Sequence, residues 1–122
     1  NNLNKNIEFK GYIDPYPDLL SSKILILNSL FEGMPNVLIE GLASKIPIIS
    51  TDCKSGPSEI LENNKYGTLI NINNPNELSN KIIDVINNYE IAKQKAEDGF
   101  KSLERFNFNN QLKKIEEYIY SF

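Results

Sequence analysis

Residues 23–28 (KILILN) place four apolar side chains in succession with no polar alternation. An amphipathic strand alternates; an unbroken run of this length is the pattern of a strand covered on both faces, which belongs in a parallel sheet. Residues 47–51 (PIIST) and 67–72 (GTLINI) read as two further short strands. Residues 7–9 (IEF) form a short extended candidate. Gly11 then turns the chain into Tyr12, Ile13 and Asp14, and Pro15 and Pro17 prevent a strand from continuing.

Helical spacing fills the gaps between these runs. One or two turns are expected over residues 18–22, and a helix over 36–44 (NVLIEGLAS) opened by Pro35 or Asn36. A short helix over 57–63 starts with Pro57 in its first position. After the turn-rich residues 73–76, Leu78, Ile82, Ile83, Val85 and Ile86 make an apolar stripe opened by Pro75 or Asn76. A more polar helix is expected over 89–106. A terminal one runs from Phe108 or Asn109 to Tyr120, with Leu112, Ile115, Tyr118 and Ile119 on one face for packing. Strands alternating with helices give βαβ units, and right-handed crossovers stack them as an α/β sheet with helices on both faces. Three or four strands make a small sheet, because a doubly wound nucleotide-binding half has about six. The 122 residues therefore read as one domain whose first strands precede residue 1.

Composition narrows the function. A net charge of −3 without a basic block provides no footprint for nucleic acid, whose phosphates require clustered Lys and Arg. The single cysteine, Cys53, and the absence of His leave no internal disulfide and no metal-ligand spacing. A reduced, cytoplasmic setting fits that usage. With no base near it in sequence, Cys53 reads as a small packed thiol. No apolar run approaches the roughly 20 residues of a membrane span, and the polar start NNLNKN has no signal-peptide core.

The candidate chemistry lies in residues 32–40, EGMPNVLIE. Glu32 occupies the loop leaving a buried strand, and Glu40 stands about one turn into the next helix. In open α/β sheets ligands bind at such carboxyl ends. Gly33 admits close backbone approach, Met34 follows it, and Pro35 removes a donor the helix start does not need. The N–H groups of Asn36 and Val37 point outward with the positive end of the helix dipole, where a diphosphate fits. Glu40 could accept hydrogen bonds from the vicinal hydroxyls of a ribose, and Glu32 could hold those of a sugar beyond the diphosphate. The spacing equally suits two surface carboxylates, with Glu40 sharing a solvent-facing stripe with Asn36 and Ser44. Glu59 sits where a third-position glutamate assists helix capping. Gly41, inside a helix, implies close packing or room beside a nucleotide.

The segment FEGMPNVLIEGLASKIPIISTDCKSGPSEIL resembles the signature of the family 4 retaining glycosyltransferases, and the resemblance extends from about Phe9 to Ile72. It implies the GT-B architecture of two Rossmann-like halves, of which this chain would be the C-terminal, donor-binding one. By the resemblance, Glu32 contacts the donor hexose and is the catalytic candidate. Glu40 holds the ribose, the backbone of Gly33, Met34, Pro35, Asn36 and Val37 holds the diphosphate, and Tyr12, Ile13 and Asp14 lie near the base. The implied reaction transfers a hexose or N-acetylhexosamine from a nucleoside diphosphate sugar, which is a co-substrate and not a cofactor, to an acceptor hydroxyl. The SGPSEI loop is similar to that of enzymes building bacterial surface glycans from UDP sugars. There is no Asp-x-Asp element, so no metal is expected on the diphosphate. The family's Arg and Lys for the diphosphate have no counterpart in residues 1–10, where Lys5 and Lys10 do not match. That pair, and a half binding a glycan or lipid-linked acceptor peripherally at the inner membrane, would lie outside this chain, leaving it inactive alone. A nucleotide-sugar epimerase of the same architecture, or a nucleotide-binding module without catalysis, are the alternative readings.

Overall fold

The structure, a computed structural model, describes the backbone of residues 2–121 and all their side chains except those at 2, 108, 110–112, 114 and 118. A 3-10 turn at Asn2–Asn6 precedes α1 (Tyr16–Ser21), β1 (Leu25–Leu27), α2 (Asn36–Ala43), β2 (Ile48–Thr51) and α3 (Pro57–Ile60). Then follow β3 (Thr68–Ile70), α4 (Pro75–Asn87), α5 (Tyr89–Lys101), a 3-10 turn at Ser102–Phe106 and α6 (Phe108–Tyr120). The strands pair in parallel in the order β1-β2-β3, with Leu25 opposite Ile48 and Ser50 opposite Leu69.

The pleat sends alternate residues to two cores. Leu25, Leu27, Ile48 and Leu69 pack with Leu38 and Leu42 of α2, Ile60 of α3, and Leu61 and Tyr66. Ile24, Ile49 and Ile70 pack with Leu78, Ile82 and Val85 of α4 and Ala92 of α5. Helices thus cover both faces, as the unalternating runs require. β1 departs from that expectation: Leu25 and Leu27 are half-buried, and Ile26 is 40% exposed. The reason is its edge position: β1 has a neighbouring strand on one side only, and the main contacts of α4 with the sheet are to β2 and β3.

The two sheet edges are finished differently. On the outer side of β3, Leu69 N–H donates to Asn64 Oδ1 at 2.7 Å and Asn71 N–H donates to Glu77 Oε2 at 3.0 Å. Side chains therefore satisfy the ladder positions another strand would use. Among the described residues, no comparable partner serves the outward N–H of Ile26 in β1.

Helix α2 buries Leu38, Gly41 and Leu42, spaced to face one side. It stops in a double reverse bond: Lys45 N–H donates to Leu42 O at 3.0 Å and Ile46 N–H to Gly41 O at 3.3 Å, with Lys45 at φ 56°. Gly41 is explained by packing, since a Cβ there would come within 2.6 Å of Leu25 Cδ2 and 3.1 Å of Ile48 Cδ1.

Four expectations change. Residues 7–9 form no strand, and Phe9 is 93% exposed, because a three-residue segment with no neighbouring strand has no ladder to join. The helix expected over 57–63 closes after Ile60, and residues 62–64 continue at positive φ. The helix expected over 89–106 tightens after Lys101 into the 3-10 turn, whose three-residue repeat brings Leu103 and Phe106 together onto the α2 core. On α6, Ile115 and Ile119 are exposed and belong to neither core among the described residues; Leu112 and Tyr118 lie outside the described side chains.

At Gly99 of α5 a Cβ would meet Leu42 Cδ2 at 2.6 Å and Tyr66 Cβ at 3.0 Å, and neither neighbour is free to withdraw. Alanine gains about 1 kcal/mol in helix propensity, and overpacking a filled site costs about 1–3 kcal/mol. Gly99→Ala is expected to lower the urea midpoint of the native protein without altering ligand affinity.

Candidate functional site

β1 and β2 end side by side, and their outgoing loops lead into α2 and α3. Thr51, the last residue of β2 and 1% exposed, donates its hydroxyl to Ser29 O at 2.6 Å. Ser55 Oγ reaches Glu32 O at 3.4 Å. Gly56, at φ 89°, has no room for a side chain: a Cβ would lie 2.5 Å from Gly33 O and 2.7 Å from Pro35 Cδ. The two loops therefore meet backbone against backbone, with Pro35, Gly56 and Pro57 buried.

Glu32 is half-buried in this contact. Ser29 Oγ donates to Glu32 Oε1 at 2.7 Å, a charge-assisted bond that fixes one carboxylate oxygen and leaves the other open. Gly33 adjoins open space: a Cβ there would meet nothing within 4 Å. Pro35 occupies the N-cap of α2 and offers no side-chain acceptor, so the first-turn N–H groups at Asn36 and Val37 keep their polarity for an external acceptor. Met34 and Asn36 are exposed, and Val37 is half-buried. Glu40 follows Asn36 by four residues, which places it on the same face of α2. It is half-buried, and among the described residues its carboxylate has no hydrogen-bond donor. Two acidic side chains thus flank an uncapped helix start beside open space.

The structure brings Glu32, Gly33, Met34, Pro35, Asn36, Val37 and Glu40 into one region. Tyr12, Ile13 and Asp14 are exposed and share no hydrogen bond with either glutamate among the described residues. Asp14 accepts from Tyr16 N–H at 3.1 Å and so organises the start of α1. Lys10 is committed to a local pair, 2.8 Å from Asp18, whose hydrogen bond and charge, aided by the charge of Glu8, raise the Lys10 pKa above its ordinary value. Cys53 is buried as a packed thiol. Glu59 is exposed at the third position of α3, and no reciprocal cap forms because the N-cap residue is Gly56. An open groove of about 570 Å³ between β3 and α4–α5, lined in part by Thr68, Glu77, Lys81, Asp84 and Lys95, lies away from these loops and contains none of their residues.

Residues 1–102 match the family Glycosyl transferases group 1. The chain belongs to that family. A poly(ribitol-phosphate) alpha-N-acetylglucosaminyltransferase of Staphylococcus aureus (strain COL) is 38% identical over 104 residues, 84% of this chain and 20% of its own length. An N-acetylgalactosamine-N,N'-diacetylbacillosaminyl-diphospho-undecaprenol 4-alpha-N-acetylgalactosaminyltransferase of Campylobacter jejuni subsp. jejuni serotype O:2 is 33% identical over 78 residues, 63% of this chain and 21% of its own. A solved variant of S. aureus TarM, in complex with Fondaparinux, alpha-GlcNAc-glycerol and UDP, superposes with a TM-score of 0.81 at 30% identity, covering 97% of this chain and 24% of that one. The chain thus spans about one fifth of the curated relatives it matches, and its parallel sheet with flanking helices is part of a GT-B glycosyltransferase fold.

Ser29 and Thr51 hold the loop that carries Glu32, and sequence reasoning passed over both. Their signal is faint: a hydroxyl residue at the carboxyl end of each of two adjacent strands, one of them three residues before Glu32. The two loop glycines separate fold from ligand. Gly56→Ala is expected to destabilise the protein by at least about 1 kcal/mol, because the left-handed backbone and the Gly33 carbonyl both oppose a methyl group. Gly33→Ala, with open space and no positive φ, is expected to leave stability within about 0.5 kcal/mol. Urea titration of both variants checks the pair.

Proposed function

We propose that residues 29–40 form the donor side of the active site of a retaining glycosyltransferase, which moves an N-acetylhexosamine or hexose from a UDP-sugar to an acceptor hydroxyl. The observation that carries this reading is the pair Glu32 and Glu40 on either side of the uncapped α2 start. The diphosphate accepts hydrogen bonds from the N–H groups of the first turn of α2, where the helix dipole favours negative charge. Glu40 accepts from the ribose hydroxyls, and Glu32, oriented by Ser29, holds the hydroxyls of the transferred sugar. Tyr12, Ile13 and Asp14, ahead of α1, are assigned to the base by the family resemblance.

In the reaction the acceptor oxygen bonds to the anomeric carbon as the bond from that carbon to the diphosphate breaks. The acceptor proton passes to the departing phosphate oxygen on the same face, so neither glutamate forms a covalent intermediate. The helix start stabilises the charge that grows on the leaving group, and contacts to the sugar hold its cationic centre in place. The choice of sugar draws support from the two relatives named for alpha-linked N-acetylhexosamine transfer and from the UDP in the TarM complex. The basic pair for the diphosphate and the site for a glycan or lipid-linked acceptor belong to the rest of the longer protein. We place the reaction in the cytoplasm, where the lone thiol of Cys53 stays reduced.

Calorimetry and steady-state kinetics on the full-length protein test the assignment. Glu40→Ala is expected to weaken UDP by about tenfold or more, the loss of hydrogen bonds to a charged acceptor. Glu32→Ala is expected to lower kcat by about 100-fold with little change in donor KM, as for contacts strongest in the transition state. Unchanged UDP affinity in the first together with unchanged turnover in the second would sink the proposal.

A further inference from the structure

The donor loop is supported from a residue far along the chain. Arg105, in the 3-10 turn after α5, donates from Nη1 to Glu59 O at 3.0 Å and to Glu62 Oε1 at 3.2 Å. Its Nη2 donates to Ile60 O. The guanidinium lies 4.5 Å from the ring centre of Phe106 and 5.4 Å from that of Tyr66, and the side chain is 23% exposed.

These partners sit at one end of α3. That helix is four residues long, a single turn of about 6 Å. A lone turn is marginal on its own hydrogen bonds: Leu61 N–H donates to Pro57 O at 2.9 Å, Glu62 N–H reaches Glu59 O only at 3.4 Å, and the last carbonyls lie beyond the helical pattern. Arg105 supplies donors to two of them. At the opposite end of α3, Gly56 lies so near the first loop that a Cβ would come within 2.5 Å of Gly33 O and 2.7 Å of Pro35 Cδ, and Ser55 reaches Glu32 O. The helix is therefore a strut: one end bears on the loop carrying Glu32 and Gly33, and the other is fixed in the guanidinium. Only an arginine serves this arrangement, since its planar fork meets two carbonyls and a carboxylate at once while stacking on aromatic rings.

We infer that Arg105 is a positioning residue for the donor site, acting through α3 and Gly56 on the Gly33–Pro35 backbone; this rests on the donor-site reading above. Without Arg105 the last turn of α3 frays, Gly56 withdraws from Gly33, and the N–H groups at the α2 start lose their alignment. Glu62→Gln leaves both carbonyl bonds in place and has no such effect.

The test is UDP titration calorimetry on the full-length protein with Arg105→Ala, Arg105→Lys, Glu62→Gln and Glu40→Ala. Calorimetry reports Kd separately from stoichiometry, so a variant that merely unfolds part of the sample lowers the stoichiometry and keeps its Kd. Arg105→Ala is expected to raise the UDP Kd about three- to tenfold, the usual size of coupling through a packed network, with Arg105→Lys between it and wild type. An unchanged Kd in Arg105→Ala beside a weakened Glu40→Ala overturns the positioning role and leaves the donor site standing. An unchanged Kd in both Arg105→Ala and Glu40→Ala overturns the positioning role, and the donor site falls with it only if Glu32→Ala also keeps its turnover. If Arg105→Ala does not fold, Arg105→Lys decides, and wild-type UDP affinity there overturns the role.

Discussion

The hydroxyl of Thr51 on the carbonyl of Ser29 joins the carboxyl ends of two neighbouring parallel strands, and the whole candidate site depends on that junction. Parallel pairing brings β1 and β2 to an end side by side but leaves their outgoing loops free to diverge. Thr51 closes the gap from a buried position, where its own hydroxyl without a partner would cost about 1–3 kcal/mol. Once the Ser29 backbone is fixed, its hydroxyl lies within reach of Glu32, and Gly56 can lie directly on Gly33. The catalytic candidate thus gains its orientation from residues that need not touch a substrate.

The support extends outward in layers. Pro35 and Gly56 make the contact between loops, α3 carries it to Arg105, and Arg105 belongs to a turn that Leu103 and Phe106 anchor in the α2 core. Residues at the two ends of this path are more than seventy positions apart in the chain. The sheet itself is asymmetric. β3 has its outer N–H groups satisfied by Asn64 and Glu77, whereas β1 presents an open edge and the half-exposed Ile26.

Most of the architecture was legible in the sequence. The runs around Ile26, Ile49 and Leu69 became the three strands, and the proline positions 35, 57 and 75 marked helix starts. Misreadings occurred where local pattern meets no tertiary partner or meets an unforeseen one. Residues 7–9 have strand composition without a neighbour. Ile115 and Ile119 have helix-face spacing and join neither core among the described residues. The break after Lys101 follows from the fit of Leu103, Arg105 and Phe106 against α2 and α3, which helical periodicity does not encode. In the site, Glu32, Glu40 and the Gly-Met-Pro turn were legible because they are contiguous, whereas Thr51 and Arg105 act across separations of 22 to 46 residues.

By itself the sequence determined the parallel α/β class, the helix start at Pro35 and the two glutamates astride it, because each follows from residues within one or two turns of one another. Tertiary structure decided which oxygen of Glu32 is held, that Gly41 serves packing, and that Gly56 rather than Gly33 carries the close backbone contact. It also decided that a one-turn helix could stand as a strut. The physical reason is the same in every case: a hydrogen bond or van der Waals contact between distant residues depends on strand register and helix docking to within a fraction of an ångström, and no local pattern of polarity carries that information.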